Sequence, residues 1–597
     1  MRRSAISLIM FAAGLGAAAS VALGQAPAAS APNAEPAWVI RSNQYTQTLL
    51  DVQLKYSPEG GSRQGLAKYD TLITDPSRAA EIAQQKELEG ILAKLKKVET
   101  TEKNQDVRED LEILQKTFNL QFRQQNYWLD HDVPFIDAGQ AIFGGLQTLL
   151  DDQVPAERRP SAVIRLRKYA GVEPGYKPFA DLLKQRVIEQ MAKPGVTYPS
   201  VGEMETELGR DKNYVDGMQA LFVKYKLTGW EEPFAKLRDQ LADYDTWIRA
   251  NVLPKARTDF RMAPAEYALQ LEGYGIDIPP AQLEAMAHQQ FTECQQQMAP
   301  LATEVAKEHG WNSTDYRDVI RELKKKQITG DDILPFYKAR LKAIEDIIVA
   351  KNLVTLPERP AIIRLATAAE TAQQPAPHMV PPPFLHNTGQ KGEFVLPLNV
   401  PSATGGAADK YDDFNFDAVS WTMISHEARP GHELQFDSML EHGVSLARAL
   451  YAFNSTNVEG WGLYSEWMMQ PYEPADGQLM TLQLRLLRDA RAFLDPELQA
   501  GKVKPEDAYK VLENDVVLSH AFATEEVERF TYRMPGQANS YFYGYTKLLQ
   551  LRKDTEAALG PKFDQKKYHD FLLAQGLLPP DLMRKAVMEN FVPSQKK

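Results

Sequence analysis

The sequence of 597 residues contains only one cysteine, Cys294, and no excess of basic residues. A single cysteine excludes an internal disulfide framework and a cysteine-based zinc site, and we expect it to be a small buried side chain. The formal net charge of −11 disfavours nucleic acid as a partner, because phosphate binding requires a basic surface. Histidine is also scarce, with ten residues in all, so two that lie close together stand out.

Beyond the N-terminus, no apolar run is long enough to span a bilayer. Arg2 and Arg3 precede an Ala-, Leu- and Val-rich stretch from Ser4 to Gly24, which predicts a signal peptide over residues 1–24, cleaved before Gln25. A membrane anchor is the alternative, which the Ala and Gly content disfavours. No cysteine follows the cleavage site, which argues against a lipoprotein. We therefore predict a periplasmic or secreted protein with no stable membrane insertion after removal of the signal.

The remaining sequence divides into segments of different composition. Residues 25–38 are rich in Ala and Pro and predict a disordered lead-in. Residues 39–354 carry apolar side chains at three- and four-residue spacing, which predicts a helical subdomain. Residues 355–412 are Pro-rich and predict short strands, and residues 413–597 return to helical spacing. The fold class predicted is mainly α with a small β-sheet.

The last of these segments contains a constellation suited to zinc. His426 and His432 flank a Pro-Gly pair, Glu427 directly follows the first histidine, and Glu459 lies further along the chain. Two histidines and one carboxylate provide three protein ligands and leave a fourth zinc position for water. A carboxylate beside the first histidine can take a proton from that water. We therefore predict a Zn²⁺ cofactor, the ligands His426, His432 and Glu459, and Glu427 as the general base.

The two histidines are spaced i and i+6, which differs from the i and i+4 of the His-Glu-x-x-His motif. On a regular helix this spacing leaves them about 120° apart around the axis. Pro430 lacks an N–H and clashes with the preceding turn, and Gly431 tolerates unusual backbone angles. The sequence therefore predicts a distortion between the histidines that turns both rings toward one site.

Other carboxylates compete for the third ligand position. Glu466 lies two helical turns beyond Glu459 on the same face, and is either the ligand or a carboxylate that orients a ligating histidine. Asp437 and Glu441 are nearer to His432 in sequence, but we expect them on a helix surface.

Three blocks carry a family resemblance: SHEARPGHELQ from Ser425, NVEGWGLYSE from Asn457 and RMPGQANSYFYGYTKLLQLR from Arg533. They resemble the bacterial family catalogued as domain of unknown function 885, which is grouped with the gluzincin metallopeptidases. The resemblance implies a multi-helix, oligopeptidase-like gluzincin fold with a small β-sheet near a deep zinc cleft. It also implies His426, His432 and Glu459 as zinc ligands and Glu427 as general base.

A zinc peptidase also needs a donor for the oxyanion of its tetrahedral intermediate. Tyr541 is the first candidate, and Tyr545 and His520 come next. Arg529 and Arg533, at i and i+4, are candidates to hold a peptide carboxylate. The alternative for these arginines is a salt bridge to Glu525 or Glu526 at a helix surface.

The Pro-rich segment holds further candidates. Phe394-Val395-Leu396 is predicted as an edge strand that pairs with a substrate backbone, with an ordinary structural hairpin as the alternative. His378 and His386 lie in the same segment and are candidates to line the cleft.

The function predicted from these residues is zinc-dependent hydrolysis of short peptides by an exported metallopeptidase. One alternative is a zinc amidohydrolase that acts on another amide, such as a cell-wall peptide or an acylated amino acid. A catalytically silent peptide-binding protein is a third hypothesis, and the intact set of His426, Glu427, His432 and Glu459 argues against it.

Overall fold

The computed structural model describes residues 36–400 and 409–597. The predicted signal peptide and almost all of the predicted lead-in therefore lie outside the described residues. The described chain is mainly helical, with a small β component, as the sequence predicts.

Nine α-helices come first in the part of the chain that the structure describes. Helices α1–α9 are Ala37–Tyr56, Pro58–Arg63, Arg78–Glu99, Gln105–His131, Ala138–Gln147, Ser161–Tyr169, Phe179–Met191, Val201–Lys224 and Glu231–Asn251. Helices α10–α14 are Pro264–Tyr274, Pro280–His309, Tyr316–Lys324, Ile333–Ala350 and Ala368–Gln373. Helices α15–α24 are Asp417–Glu427, His432–His442, Ser455–Met469, Ala475–Gln499, Pro505–Lys510, His520–Glu528, Asn539–Leu559, Gln565–Ala574, Pro580–Ala586 and Val592–Lys596. Short π-helical segments cover Ala447–Tyr451, Val511–Asp515, Arg529–Arg533 and Val587–Phe591.

Local sequence explains where individual helices begin and which face they bury. Helix α8 starts with a capping box, in which Ser200 accepts from the N–H of Glu203 and the Glu203 side chain accepts from the N–H of Ser200. In α12 the buried apolar residues are Tyr316, Val319, Ile320 and Leu323, the spacing of one helical face. Such helices are stabilised mainly by packing that face against a neighbour.

The buried apolar residues form two large hydrophobic cores. One runs from Val133 to Val252 and includes two alanines of α14, and we call residues 133–256 the inserted lobe. The main core takes residues from α1, α3 and α4, and then from Met262 through to the C-terminal helices. The chain therefore leaves the main core after α4 and returns to it at α10, and the main core draws on residues before and after position 354.

The sheet has three strands, β1 Ile362–Leu365, β2 His378–Val380 and β3 Glu393–Leu396, in the order β1-β3-β2. A separate pair consists of β4 Asn399–Val400 and β5 Asp409–Lys410. Strand β3 is parallel to β1 and antiparallel to β2, and all four of its residues are buried.

The prediction of Phe394-Val395-Leu396 as an edge strand is wrong, because β3 is the central strand and both of its edges are paired. The physical reason is visible in its composition. A run that is apolar on both faces fits a strand covered on both sides, whereas edge strands expose one row of backbone groups to solvent.

Candidate metal centre

His426, His432 and Glu459 lie together, each offering one ligand atom, with all three atoms within 4.8 Å of one another. Glu459 Oε2 is 3.4 Å from His426 Nε2 and 3.3 Å from His432 Nε2. The two imidazole rings are 4.6 Å apart between centroids and nearly perpendicular, at 81°. Glu427 Oε1 lies 3.9 Å from His426 Nε2, at the margin of the cluster. Four of the residues singled out by sequence therefore meet at one place.

A break between two helices brings the histidines together. Helix α15 ends at Glu427 and α16 begins at His432, with a cis Arg429–Pro430 peptide bond between them. A Cβ at Gly431 would lie 1.9 Å from the carbonyl oxygen of His426, so only glycine fits this close approach. The predicted distortion at Pro430-Gly431 is present, and it lets residues at i and i+6 face one point.

Helix α17 supports the break and carries the third carboxylate. The indole N–H of Trp461 reaches the carbonyls of Pro430 and Gly431, at 3.0 and 3.2 Å. Glu459, Gly462 and Glu466 share one face of this helix. A Cβ at Gly462 would lie 2.5 Å from His426 Cε1, so the glycine makes room for the imidazole.

Glu466 holds the other side of the His426 ring. Its Oε1 is 2.7 Å from His426 Nδ1, and its Oε2 accepts from the Thr422 hydroxyl at 2.8 Å. Arg488 Nη2 lies 3.2 Å from the same Oε1. A carboxylate on Nδ1 places the N–H there and leaves Nε2 with a free lone pair, which is the usual support for a ligating histidine. Glu466 thus occupies the orienting position that the sequence left open, while Glu459 faces both Nε2 atoms.

Burial and neighbouring charges shift the pKa values of two acidic groups in opposite directions. Burial raises the pKa of Glu427 to about 8, although the nearby His432 opposes this shift. Burial also opposes ionisation of Glu459, but its contacts with His426 and His432 outweigh that effect and lower its pKa. Two carboxylates in one buried cluster thus differ in proton affinity, a pattern typical of functional sites.

Tyr541 lies beside the cluster. Its ring is nearly parallel to that of His426, at 20° and 6.2 Å between centroids, and the Arg491 guanidinium carbon lies 4.6 Å from its centroid. Burial and the charge of Glu459 raise the pKa of its hydroxyl. The phenol therefore remains a hydrogen-bond donor at neutral pH.

The other two candidate oxyanion donors point elsewhere. The Tyr545 hydroxyl accepts from Arg485, on the α18 side of α21. His520 begins helix α20, its side chain is 77% exposed, and its Nδ1 is 2.6 Å from Glu513. The structure does not bring the His520 ring to the cluster, because the ring lies on the outer side of α20, where it stacks on Tyr509 at 5.6 Å between centroids.

Four other residues named from the sequence can also be compared with the structure. Asp437 was expected on a helix surface but is fully buried, because α16 is covered on all sides from His432 to Met439. Glu441 does lie near the surface, where it accepts from the backbone N–H groups of Glu358 and Arg359. His378 is buried on β2, and burial lowers its pKa to about 4, whereas His386 lies in an exposed turn.

The alternative for Arg529, an ion pair with Glu525 or Glu526, is present at 3.5 and 3.9 Å, but it is buried and does not lie at a helix surface. The Arg529 guanidinium lies 3.5 Å from Glu525, 3.5 Å from the Tyr541 hydroxyl and 3.4 Å from Gln537 Oε1. Gln537 Nε2 in turn lies 3.5 Å from Glu459 Oε1. Arg529 is therefore linked to the cluster through one intervening side chain on each of two routes.

Sequence reasoning missed Thr422, Arg488 and Gln537. Thr422 lies four residues before His426, so the shared helix face was a usable signal. Gln537 stands in the Met-Pro-Gly-Gln part of a block that carries the family resemblance, which was also a usable signal. Arg488 lies on a separate helix, α18, with no local pattern that connects it to the histidines.

The fold and the cluster define a mainly α protein with a buried two-histidine, one-carboxylate centre. The chain belongs to the bacterial family of proteins of unknown function DUF885, whose model matches residues 58–587. No curated protein matches the sequence.

Two solved structures share the fold. A candidate lipoprotein of unknown function from Shewanella oneidensis has 18% identity and a TM-score of 0.68, over 92% of this chain and 99% of that one. A candidate lipoprotein from Colwellia psychrerythraea has 16% identity and a TM-score of 0.70, over 93% and 99%. A candidate oligoendopeptidase F from Bacillus anthracis aligns with a TM-score of 0.27, which supports no conclusion about fold or function. At these identities the similarity shows a common fold only.

Within residues 36–400 and 409–597, none of the helices combines the length and apolar character that a membrane crossing requires.

Proposed function

We propose that this protein is a zinc-dependent peptidase that hydrolyses short peptides. The observation that supports this most strongly is the convergence of His426 Nε2, His432 Nε2 and a Glu459 carboxylate oxygen, with a second carboxylate, Glu427, beside them. Neutral nitrogen and hard oxygen donors are the ligands of catalytic zinc sites.

The spacing of these atoms fits the ion. Two ligand atoms at zinc-bond distance and tetrahedral angle are separated by about 3.4 Å. The distances from Glu459 Oε2 to the two Nε2 atoms are 3.4 and 3.3 Å. Glu459 Oε2 is also buried without a hydrogen-bond donor, an arrangement that a cation would stabilise. When bound, zinc would polarise a carbonyl and lower the pKa of a water molecule.

The chain's own residues have distinct roles in this proposal. Glu427 accepts a proton from the attacking water and passes it to the leaving amine. The Tyr541 hydroxyl donates to the oxygen on which negative charge develops. Glu466 holds the His426 ring through Nδ1, and Thr422 and Arg488 fix the Glu466 carboxylate in turn.

We also propose that the protein is exported. Residues 1–24 have the composition of a signal peptide. The related solved structures bear descriptions as candidate lipoproteins, which is compatible with export.

The test is digestion of a defined library of short peptides by the purified protein, followed by mass spectrometry. Metal content is measured on the same preparation by elemental analysis. We expect about one zinc per chain and cleavage that stops with chelator and returns with added zinc. Protein without any bound transition metal, or cleavage that is insensitive to chelator, contradicts the proposal.

A further inference from the structure

A small pocket lies where the inserted lobe meets the C-terminal helices. Its walls include Gln140 and Glu207 from the inserted lobe, Pro375 after α14, and Glu525, Arg529, Arg533 and Met534. Arg529 and Arg533 are the groups of this lining that can bind an anion, and the carboxyl groups of Glu207 and Glu525 lie beside them.

The pocket adjoins the candidate metal centre. Arg529 Nη1 lies 3.4 Å from Gln537 Oε1, and Gln537 Nε2 lies 3.5 Å from Glu459 Oε1. The same guanidinium lies 3.5 Å from the hydroxyl of Tyr541, whose ring lies against that of His426. One side chain, Gln537 or Tyr541, therefore separates the Arg529 guanidinium from the cluster on each of these routes.

The two pocket arginines form longer ion pairs than the nearby Arg491 does. Arg491 forms a two-pronged pair with Glu526 at 2.5 and 2.7 Å. Arg529 approaches Glu525 only to 3.5 Å and Glu526 only to 3.9 Å, and Arg533 approaches Glu528 only to 3.7 Å. Charge-assisted hydrogen bonds in proteins have lengths of about 2.7–2.9 Å. Arg533 also donates to the carbonyl of Gln373 at 3.3 Å, and Arg529 to Gln537 and Tyr541 at 3.4 and 3.5 Å. Because all of these contacts are long, a further carboxylate can compete for the N–H groups of both guanidiniums.

We propose that this pocket binds a carboxylate of the peptide substrate through Arg529 and Arg533, and so sets the distance from that carboxylate to the cleaved bond. The inference rests on the proposed function. The carboxylate has two sources, the C-terminal group of the peptide or an acidic side chain. The first gives removal of short fragments from the C-terminus, and the second gives preference for acidic sequences.

Three matched hexapeptide pools separate these sources. The first is neutral with a free C-terminus, the second is its C-terminal amide, and the third is an amide with glutamate at the last position. We expect one of the two carboxylate pools to be cleaved with a kcat/KM about ten- to a hundredfold above the neutral amide, the range for a charged hydrogen bond. Equal chelator-sensitive cleavage of all three overturns the carboxylate site and leaves the proposed function intact.

The same pools test binding independently of turnover. Retention on the protein is measured by ultrafiltration and mass spectrometry. If no chelator-sensitive cleavage occurs, the proposed function fails, and preferential retention of a carboxylate pool still supports the pocket. Equal retention of all three pools overturns it.

Arg533→Gln should raise KM for the preferred pool about tenfold or more while kcat changes little, because the pocket binds and does not react. Arg552→Gln is the control, since its side chain is 13% exposed against 15% for Arg533 and it pairs with Glu556 on α21. The Arg552→Gln variant should keep the preference for the same peptide pool. Loss of the preference in both variants, or in neither, overturns the assignment of the carboxylate site to Arg533. If a variant fails to fold, the comparison of the three pools on the unaltered protein still tests the proposal.

Discussion

The inserted lobe and the helices of the metal centre bury their residues in different ways. In α7 of the lobe, one face carries the buried residues, and the rest of the helix meets solvent. In α15, every residue from Ala418 to Glu427 is buried, including His426 and Glu427. A helix covered on all sides keeps charged groups only where partners compensate for lost hydration. Most polar residues of α7 therefore contact solvent, whereas the polar residues of α15 after Asp417 are all enclosed by the fold.

The first way to test this contrast is Glu427→Gln, for which we expect the largest effect. The change keeps size and hydrogen bonding but removes the proton acceptor, so kcat should fall by about two to four orders of magnitude while zinc content is unchanged. Glu459→Gln should instead lower zinc occupancy, because it alters a ligand. Peptide turnover and elemental analysis on both variants decide the roles. If the Glu427→Gln variant stays active and the Glu459→Gln variant retains metal, the roles assigned to these two residues are wrong.

Phe222→Ala perturbs the lobe without touching the centre. The ring is fully buried and stacks on Trp230 at 5.3 Å and 9°. Its removal should lower the free energy of unfolding by about 3–5 kcal/mol, through lost burial and a cavity. Denaturant unfolding gives the stability, and zinc content measured in parallel should stay the same. Loss of metal at temperatures where the variant is folded would show that the lobe and the centre are one cooperative unit.

Gly462→Ala and Gly90→Ala compare the same substitution at the enclosed metal centre and at an open helix position outside both regions. A Cβ at Gly462 meets the His426 ring at 2.5 Å, whereas a Cβ at Gly90, in α3, meets nothing within 4 Å. We expect Gly462→Ala to cost about 1–3 kcal/mol by overpacking and to weaken zinc retention. Gly90→Ala should raise stability by about 0.4–1 kcal/mol, since alanine restricts the unfolded chain. Thermal melts with metal analysis test both, and equal behaviour of the two variants refutes the packing argument.

The smallest effect is expected at Lys212 and Asp216, an exposed ion pair one turn apart on α8 of the lobe. Lys212→Ala should change the free energy of unfolding by less than about 0.5 kcal/mol, because solvent screens the pair. Denaturant curves at low and high salt provide the measurement. A loss above 1 kcal/mol would indicate that lobe charges contribute to stability as those of the centre do.

The sequence was sufficient for features whose physics is local. Helical spacing gave the mainly α class, and the chemistry of His426, Glu427, His432 and Glu459 selected four residues that lie together. The break at Pro430-Gly431 was also predictable, because the missing N–H of proline and the freedom of glycine act within one turn.

Tertiary structure decided what depends on neighbours distant in the chain. The order β1-β3-β2 made Phe394–Leu396 a central strand, since pairing partners are not encoded in a short apolar run. Burial of Asp437, exposure of His520 and the arrival of Arg488 at Glu466 followed from packing between helices. Residue type and spacing thus determined which groups are able to form the centre, while long-range packing determined which of them meet, because burial and contact are properties of the assembled fold.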